Sequence, residues 1–200
     1  MNVNTSVAKT ETLVGAFLAP MDWTRSLGLV LGFSVLTALA AQIVIPLPWG
    51  PVPITGQTFA VLLTGTLLGS RLGAMAMLVY LIEGAAGLPF FAAGGSGMAR
   101  LVFSPTSGYL LAFPAAAFLT GSLAERGWDK RFLTAAAAMA LGSLVILLCG
   151  WSWLAIWFRN PGYAASAGVV PFLPGDVIKI ALAAAALPAG WKILRNVRNS

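Results

Sequence analysis

Runs of apolar residues, broken only where proline and glycine cluster, constrain this chain more than any single motif does. A helix needs roughly 20 residues to cross the hydrocarbon core of a bilayer, and irregular backbone facing lipid has no partner for its polar groups. Six runs fit that requirement or approach it, at about 25–45, 58–70, 73–87, 106–124, 132–158 and 174–191. The second and third are short, and Gly69-Ser-Arg71-Leu-Gly73 between them reads as a tight turn. Charged residues are 9% of the chain, against about 25% in an average soluble domain. Six acids and twelve bases are too few to cover a soluble surface. The expected fold is an all-α integral membrane protein of six transmembrane helices. It forms one domain over 1–200, with an N-terminal segment 1–24, a bundle 25–191 and a basic tail 192–200.

Six crossings put both termini on one side. Lys9, Arg25, Arg71, Arg126, Lys130, Arg131, Lys192, Arg195 and Arg198 fall on that side, and only Arg100 and Arg159 on the other. By the positive-inside rule both termini are cytoplasmic, and the loops 46–57, 88–105 and 159–173 face outward. The net charge of +6 is dispersed in ones and twos beside the spans, so it predicts no nucleic-acid partner. Residues 1–22 lack the charged start and apolar core of a signal peptide. Ala38, Leu39 and Ala40 do resemble a cleavage site, but cleavage there would spoil the shared side of the termini, so an uncleaved first helix is expected.

There is one cysteine, Cys149, and no histidine. That removes intrachain disulfides, zinc sets of His and Cys, and Ser-His or Cys-His nucleophiles. Cys149, in mid-span, is expected to pack. No G-x-x-x-x-G-K-[ST] loop is present, so the chain carries no recognisable nucleotide-binding site, and any ATP-driven step belongs to a partner.

Against this background Asp176 and Lys179 stand out. Charges inside a span are costly and mark function by default, and residues three apart on a helix share a face. They are candidates for a ligand site, with a mutual ion pair as the alternative. An enzyme using them as acid and base, or a membrane scaffold, are alternative functions; the missing histidine and second acid speak against the enzyme. The outward loops are rich in Gly and Pro, and such backbone near a membrane survives where it lines a cavity, here a lidded ligand pocket. Glu83 is expected to pair with Arg100. Trp151, Trp153, Trp157 and Phe158 are expected to anchor the membrane interface.

Four segments carry a resemblance: P-V-P-I-T-G-Q-T at 51–58, G-L-P at 87–89, P-T-x-G-Y at 105–109 and P-F-L-P-G-D-x-x-K at 171–179. In this order, at the outer ends of the expected spans, they resemble the BioY family, the biotin-specific substrate-binding S components of energy-coupling factor (ECF) vitamin transporters. The resemblance runs from about Gly32 to Ala184. It implies a multi-pass protein of a prokaryotic cytoplasmic membrane that captures biotin without chemistry and needs no cofactor. It also implies partners: a transmembrane coupling subunit and two cytoplasmic ATPases. Asp176, Lys179, Gln57 and Thr55 would supply polar contacts, Phe90, Phe91, Tyr109 and Phe172 aromatic walls, and Arg100 either a contact or a field for the carboxylate. The partner contact, usually two alanines four apart, matches Gly28 and Gly32 in spacing. Thr37 with Ala41 is a second small pair, and Gly28 with Gly32 would alternatively pack an internal helix. Ser104 and Ser107 stand where the family pattern has glycines.

Overall fold

A computed structural model describes residues 12–18 and 21–199. Lys9 and most of the expected N-terminal segment lie outside them. The described chain is mostly helical: α1 (Leu13–Leu18), α2 (Trp23–Ala40), α3 (Gln57–Leu68), α4 (Ser70–Ala85), α5 (Met98–Val102), α6 (Ser107–Ala124), α7 (Phe132–Phe158), α8 (Pro161–Gly168) and α9 (Leu173–Asn199). A short hairpin, β1 (Val44–Ile45) and β2 (Ile54–Thr55), joins α2 to α3.

Four stretches are long and apolar enough to cross a membrane, at 23–40, 107–124, 132–158 and 161–197. Helices α3 and α4, of 12 and 16 residues, fall below that length, as their short apolar runs imply. They form an antiparallel pair whose turn is tighter than the five-residue motif implies. Gly69 alone separates them, at φ +88°, a left-handed conformation that glycine takes without a Cβ clash.

The first run was expected to stay helical to Ile45, but α2 stops at Ala40. Val44 pairs with Thr55 and Ile45 with Ile54 in an antiparallel ladder. The β-branched run Ile43-Val44-Ile45 meets Pro46 and Pro48, which cannot continue a helix, and the hairpin satisfies backbone groups that would otherwise have no partner.

Helix α6 sits at the centre, packed on α3, α4 and α7, while α9 packs on α7. α2 lies at the edge and touches mainly α4 and α3. Of α9, Val177 and Ile178 face outward while Ala183, Ala184 and Leu187 are buried, an apolar surface on both sides of the helix that suits lipid outside and protein inside. Cys149 is exposed on α7 rather than packed.

Three hydrogen bonds to two carboxylates gather the turns at one end of the bundle. Ser70 donates to Glu125 from both its backbone N–H and its hydroxyl, each at 2.9 Å, and Trp191 Nε1 donates to Asp129 Oδ2 at 2.6 Å. The glycine- and proline-rich loops collect at the opposite end.

Candidate functional site

That loop end holds a small cavity, partly open to the outside. Its walls come from the β1–β2 turn and the start of α3 (Val52, Pro53, Thr55, Gln57, Thr58), from the 88–100 segment (Phe91, Ala92, Arg100), from α6 and the residue before it (Thr106, Tyr109, Leu110, Phe113), and from Phe172. Six of the nine expected ligand residues are therefore brought together: Thr55, Gln57, Phe91, Arg100, Tyr109 and Phe172.

Packing and hydrogen bonds hold all but the exposed Arg100 in place. Phe91 is buried, and a Cβ on Gly84 would come within 2.4 Å of its ring, so only glycine leaves room for it. Tyr109 packs against Phe172 with centroids 5.9 Å apart, and its hydroxyl donates to the Gly168 carbonyl at 2.6 Å. Gln57 is buried, donates to the Tyr80 hydroxyl, and accepts from Thr55 Oγ1 at 3.1 Å. Tyr80 in turn donates to the Phe90 carbonyl at 3.0 Å.

Phe90, expected as a wall, is not among the lining residues; it stacks on Tyr80 at 6.4 Å behind Phe91. Adjacent aromatic residues cannot both face one cavity from an extended backbone, because their side chains alternate.

Asp176 and Lys179 also stand one layer behind the lining. Their charges are 3.9 Å apart, but each makes its best contacts elsewhere. Asp176 accepts from the Ser143 hydroxyl of α7. Lys179 Nζ donates to the Thr55 carbonyl at 3.0 Å and to Thr58 Oγ1 at 2.8 Å, both on lining residues. The pair thus spans the seam between α7 and α3, and Lys179 is one side chain away from the cavity.

Glu83 does not pair with Arg100; it accepts from the buried Ser34 hydroxyl of α2. The exposed Arg100 has no carboxylate at ion-pair distance among the described residues. Ser104 and Ser107 bond through their hydroxyls at 3.2 Å, Ser104 Oγ also reaches Thr106 Oγ1 at 2.8 Å, and Trp153 Nε1 donates to the Ser104 carbonyl at 2.8 Å. The serines hold the loop by side-chain bonds where glycine would shape it by backbone freedom. Trp151 likewise donates to the Pro161 carbonyl at 3.2 Å, so two of these indoles fasten loop-end segments to α7.

Sequence reading missed Val52, Pro53, Thr58, Ala92, Thr106, Leu110 and Phe113 as lining, and Tyr80 and Ser143 as supports. Phe113 follows Tyr109 by four residues, so helical spacing could have found it. Tyr80 and Ser143, polar groups inside apolar runs, carried a usable signal too.

The small pairs on α2 separate cleanly. Among the described residues, nothing lies within 4 Å of where a Cβ would sit on Gly28 or Gly32, so neither packs an internal helix pair there. Thr37 and Ala41 are fully buried, with the Thr37 hydroxyl bonded to the Phe33 carbonyl at 2.9 Å, and they present no outer face.

Known proteins resemble this chain over most of its length. The BioY family model matches residues 6–196. A Pyrococcus horikoshii protein named "Probable biotin transporter BioY" is 43% identical over 161 residues, 80% of this chain and 91% of the relative. The "Biotin transporter BioY" of Rhizobium etli is 39% identical over 165 residues, 75% of this chain and 88% of the relative. Among solved structures, the S-component for biotin from an ECF-type ABC transporter has the same fold, with a TM-score of 0.74 and 24% identity over 88% of this chain and 92% of that one. The four motif segments, the matched fold and the extent of these alignments lead to one conclusion: this chain belongs to the BioY family.

Proposed function

We propose that this chain captures biotin at the outer face of a prokaryotic cytoplasmic membrane, as the substrate-binding subunit of an ATP-driven transporter. The observation that carries it is the convergence of three motif segments, 51–58, 105–109 and 171–179, on one cavity with aromatic walls and few polar groups. The curated relatives named as biotin transporters supply the ligand.

In this reading α2, α3, α4, α6, α7 and α9 are the six crossings. Helices α3 and α4 span about 18 and 24 Å at 1.5 Å per residue and rely on the neighbours that bury them. Six crossings and the bias of Lys and Arg put the Ser70–Glu125 and Asp129–Trp191 end in the cytoplasm and the cavity outside.

Tyr109, Phe172 and Phe91 enclose the apolar rings of biotin. Arg100 draws in its carboxylate through the field of an unpaired guanidinium. As the ligand seats, Lys179 exchanges its bonds to Thr55 and Thr58 for a ligand oxygen, and Asp176 accepts from ureido N–H groups. Thr55 and Gln57 complete the polar set. The subunit binds and releases; it does no chemistry and uses no cofactor. Gly28 and Gly32 leave a shallow track on the open face of α2, where the helix of a transmembrane coupling subunit approaches closely. Two cytoplasmic ATPases drive that subunit.

Thermal unfolding of detergent-purified protein with biotin, thiamine or riboflavin tests the reading. Biotin alone raises the melting temperature, since a ligand at a thousandfold excess over Kd adds about 4 kcal/mol. Folded protein that responds to no vitamin defeats it.

A further inference from the structure

Segment 88–97 closes one side of the cavity through Phe91 and Ala92. Its tip is a tight turn, with Phe91 N–H donating to the Gly95 carbonyl at 2.9 Å and Gly95 N–H to the Ala92 carbonyl at 3.2 Å. The chain reverses there through two consecutive left-handed residues, Ala93 at φ +56° and Gly94 at φ +70°. Glycine takes that conformation freely, whereas alanine pays a steric penalty for it. A strained turn of this kind persists only where its surroundings hold it.

Two contacts with α4 hold the flanks: Tyr80 OH donates to the Phe90 carbonyl at 3.0 Å, and Gly97 N–H to the Gly84 carbonyl at 2.7 Å. The tip is held from another direction. Gln42, two residues past the end of α2, accepts from Gly94 N–H at 2.9 Å through Oε1. Its Nε2 lies 3.0 Å from the Ala38 carbonyl, 3.3 Å from the Pro89 carbonyl and 3.4 Å from the Phe91 carbonyl. Two amide hydrogens serve these three acceptors: one ties the side chain to its own helix, and the other is shared along the loop. A carboxamide is suited to this position because it both accepts and donates. Glutamate only accepts, and leucine does neither.

We propose that Gln42 is the latch of a lid, a positioning residue that holds 89–94 closed over the cavity and sets how fast a bound ligand escapes. The latch extends from α2, the same helix that carries the open Gly28 and Gly32 face. Its ligand rests on the biotin reading; its geometry does not.

The test compares unaltered protein with Gln42→Leu and Gln42→Glu, all full-length in detergent. Hydrogen exchange is followed without ligand, and labelled biotin is used for association and dissociation rates. Losing hydrogen bonds of this kind is expected to speed exchange at the amides of 91–95 in Gln42→Leu by roughly threefold to tenfold, with the bundle and the melting temperature unchanged. Biotin dissociation is expected to accelerate by a similar factor while association holds. Gln42→Glu, which keeps the acceptor for Gly94, falls between the two. Unchanged exchange at 91–95, faster exchange spread over the whole chain, an affinity loss confined to association, or loss of the fold in either variant would each overturn the latch. If unaltered protein binds no biotin, the biotin reading fails, and the ligand-free exchange still decides the latch.

Discussion

The two ends of this bundle are closed by different physical means. At the end away from the cavity, backbones meet so closely that no side chain fits between them. A Cβ on Gly65 would lie 2.2 Å from the Ala117 carbonyl oxygen, and one on Gly121 2.4 Å from the Gly69–Ser70 peptide. Carboxylates finish the closure, with Glu125 taking two bonds from Ser70 and Asp129 one from Trp191. At the cavity end, rings and side-chain bonds to loop backbone do the work, including those from the exposed Gln42. Backbone packed on backbone cannot open by rotating a side chain, whereas a loop held by a few exposed hydrogen bonds can, each being worth only about 0.5–1.5 kcal/mol. In the proposed reading, such a molecule loads at its deformable end and treats the other as a rigid base.

The most severe way to break that contrast is to insert bulk into the rigid end. Gly65→Leu drives a whole side chain into the Ala117 backbone. One extra methylene in a packed core already costs about 1–3 kcal/mol, and total stability is only about 5–15 kcal/mol. The expected result is loss of folded protein on size-exclusion chromatography, with biotin failing to rescue it. Normal yield would mean that this end gives as readily as the other.

Next in size is Asp176→Asn, which keeps an acceptor for the Ser143 hydroxyl and removes the charge beside Lys179. Biotin affinity should fall more than tenfold, about 1.4 kcal/mol, with the melting temperature of the ligand-free protein nearly unchanged. Equilibrium binding of labelled biotin measures it. Unchanged affinity would return the pair to a purely internal role between α7 and α3.

A smaller change in the isolated subunit is expected from Gly28→Leu with Gly32→Leu. Both sites are open, so stability and biotin binding should stay within error. Copurification with the coupling subunit should drop by roughly tenfold, the effect of about 1.4 kcal/mol lost at an interface. Intact assembly would move the partner surface off this face.

The finest distinction concerns Asp129. Burial pushes its carboxyl above the usual range, against the Trp191 bond that pulls it down, and its Oδ1 is buried with no hydrogen-bond partner among the described residues. An acid whose folded-state value is raised stabilises the fold fully below its unfolded value, near 3.8, and loses that contribution as pH rises through the folded value. Asp129→Asn should therefore melt higher than the unaltered protein at pH 7, with the gap closing as pH falls toward 4. A variant that melts lower at pH 7 would show that the Trp191 bond outweighs the burial.

Much of this was legible in the residues. The run at 132–158 became α7 with those limits, and the run at 106–124 became α6 with its start moved by one residue, because apolar length and flanking breakers both act locally. Where two local signals competed, the reading slipped. The β-branched residues before Pro46 read as the end of a span, and they became a strand once a partner at 54–55 was in reach. The site shows the same division. The expected site list supplied six of the lining residues, while Phe90 turned away because its neighbour Phe91 had taken the glycine socket at Gly84.

What the sequence by itself determined is therefore the medium and the menu: a chain with 9% charge and long apolar runs must bury itself in lipid, and without histidine or a nucleotide loop it has few chemistries open to it. Tertiary structure alone decided which small pair on α2 faces outward, that Glu83 takes Ser34 instead of Arg100, that Asp176 and Lys179 stand behind the cavity lining, and that Gln42 reaches the lid. Periodicity and composition are properties of neighbours in the chain. A hydrogen bond between residues 42 and 94 depends on how distant helices settle against one another, and no local pattern records that.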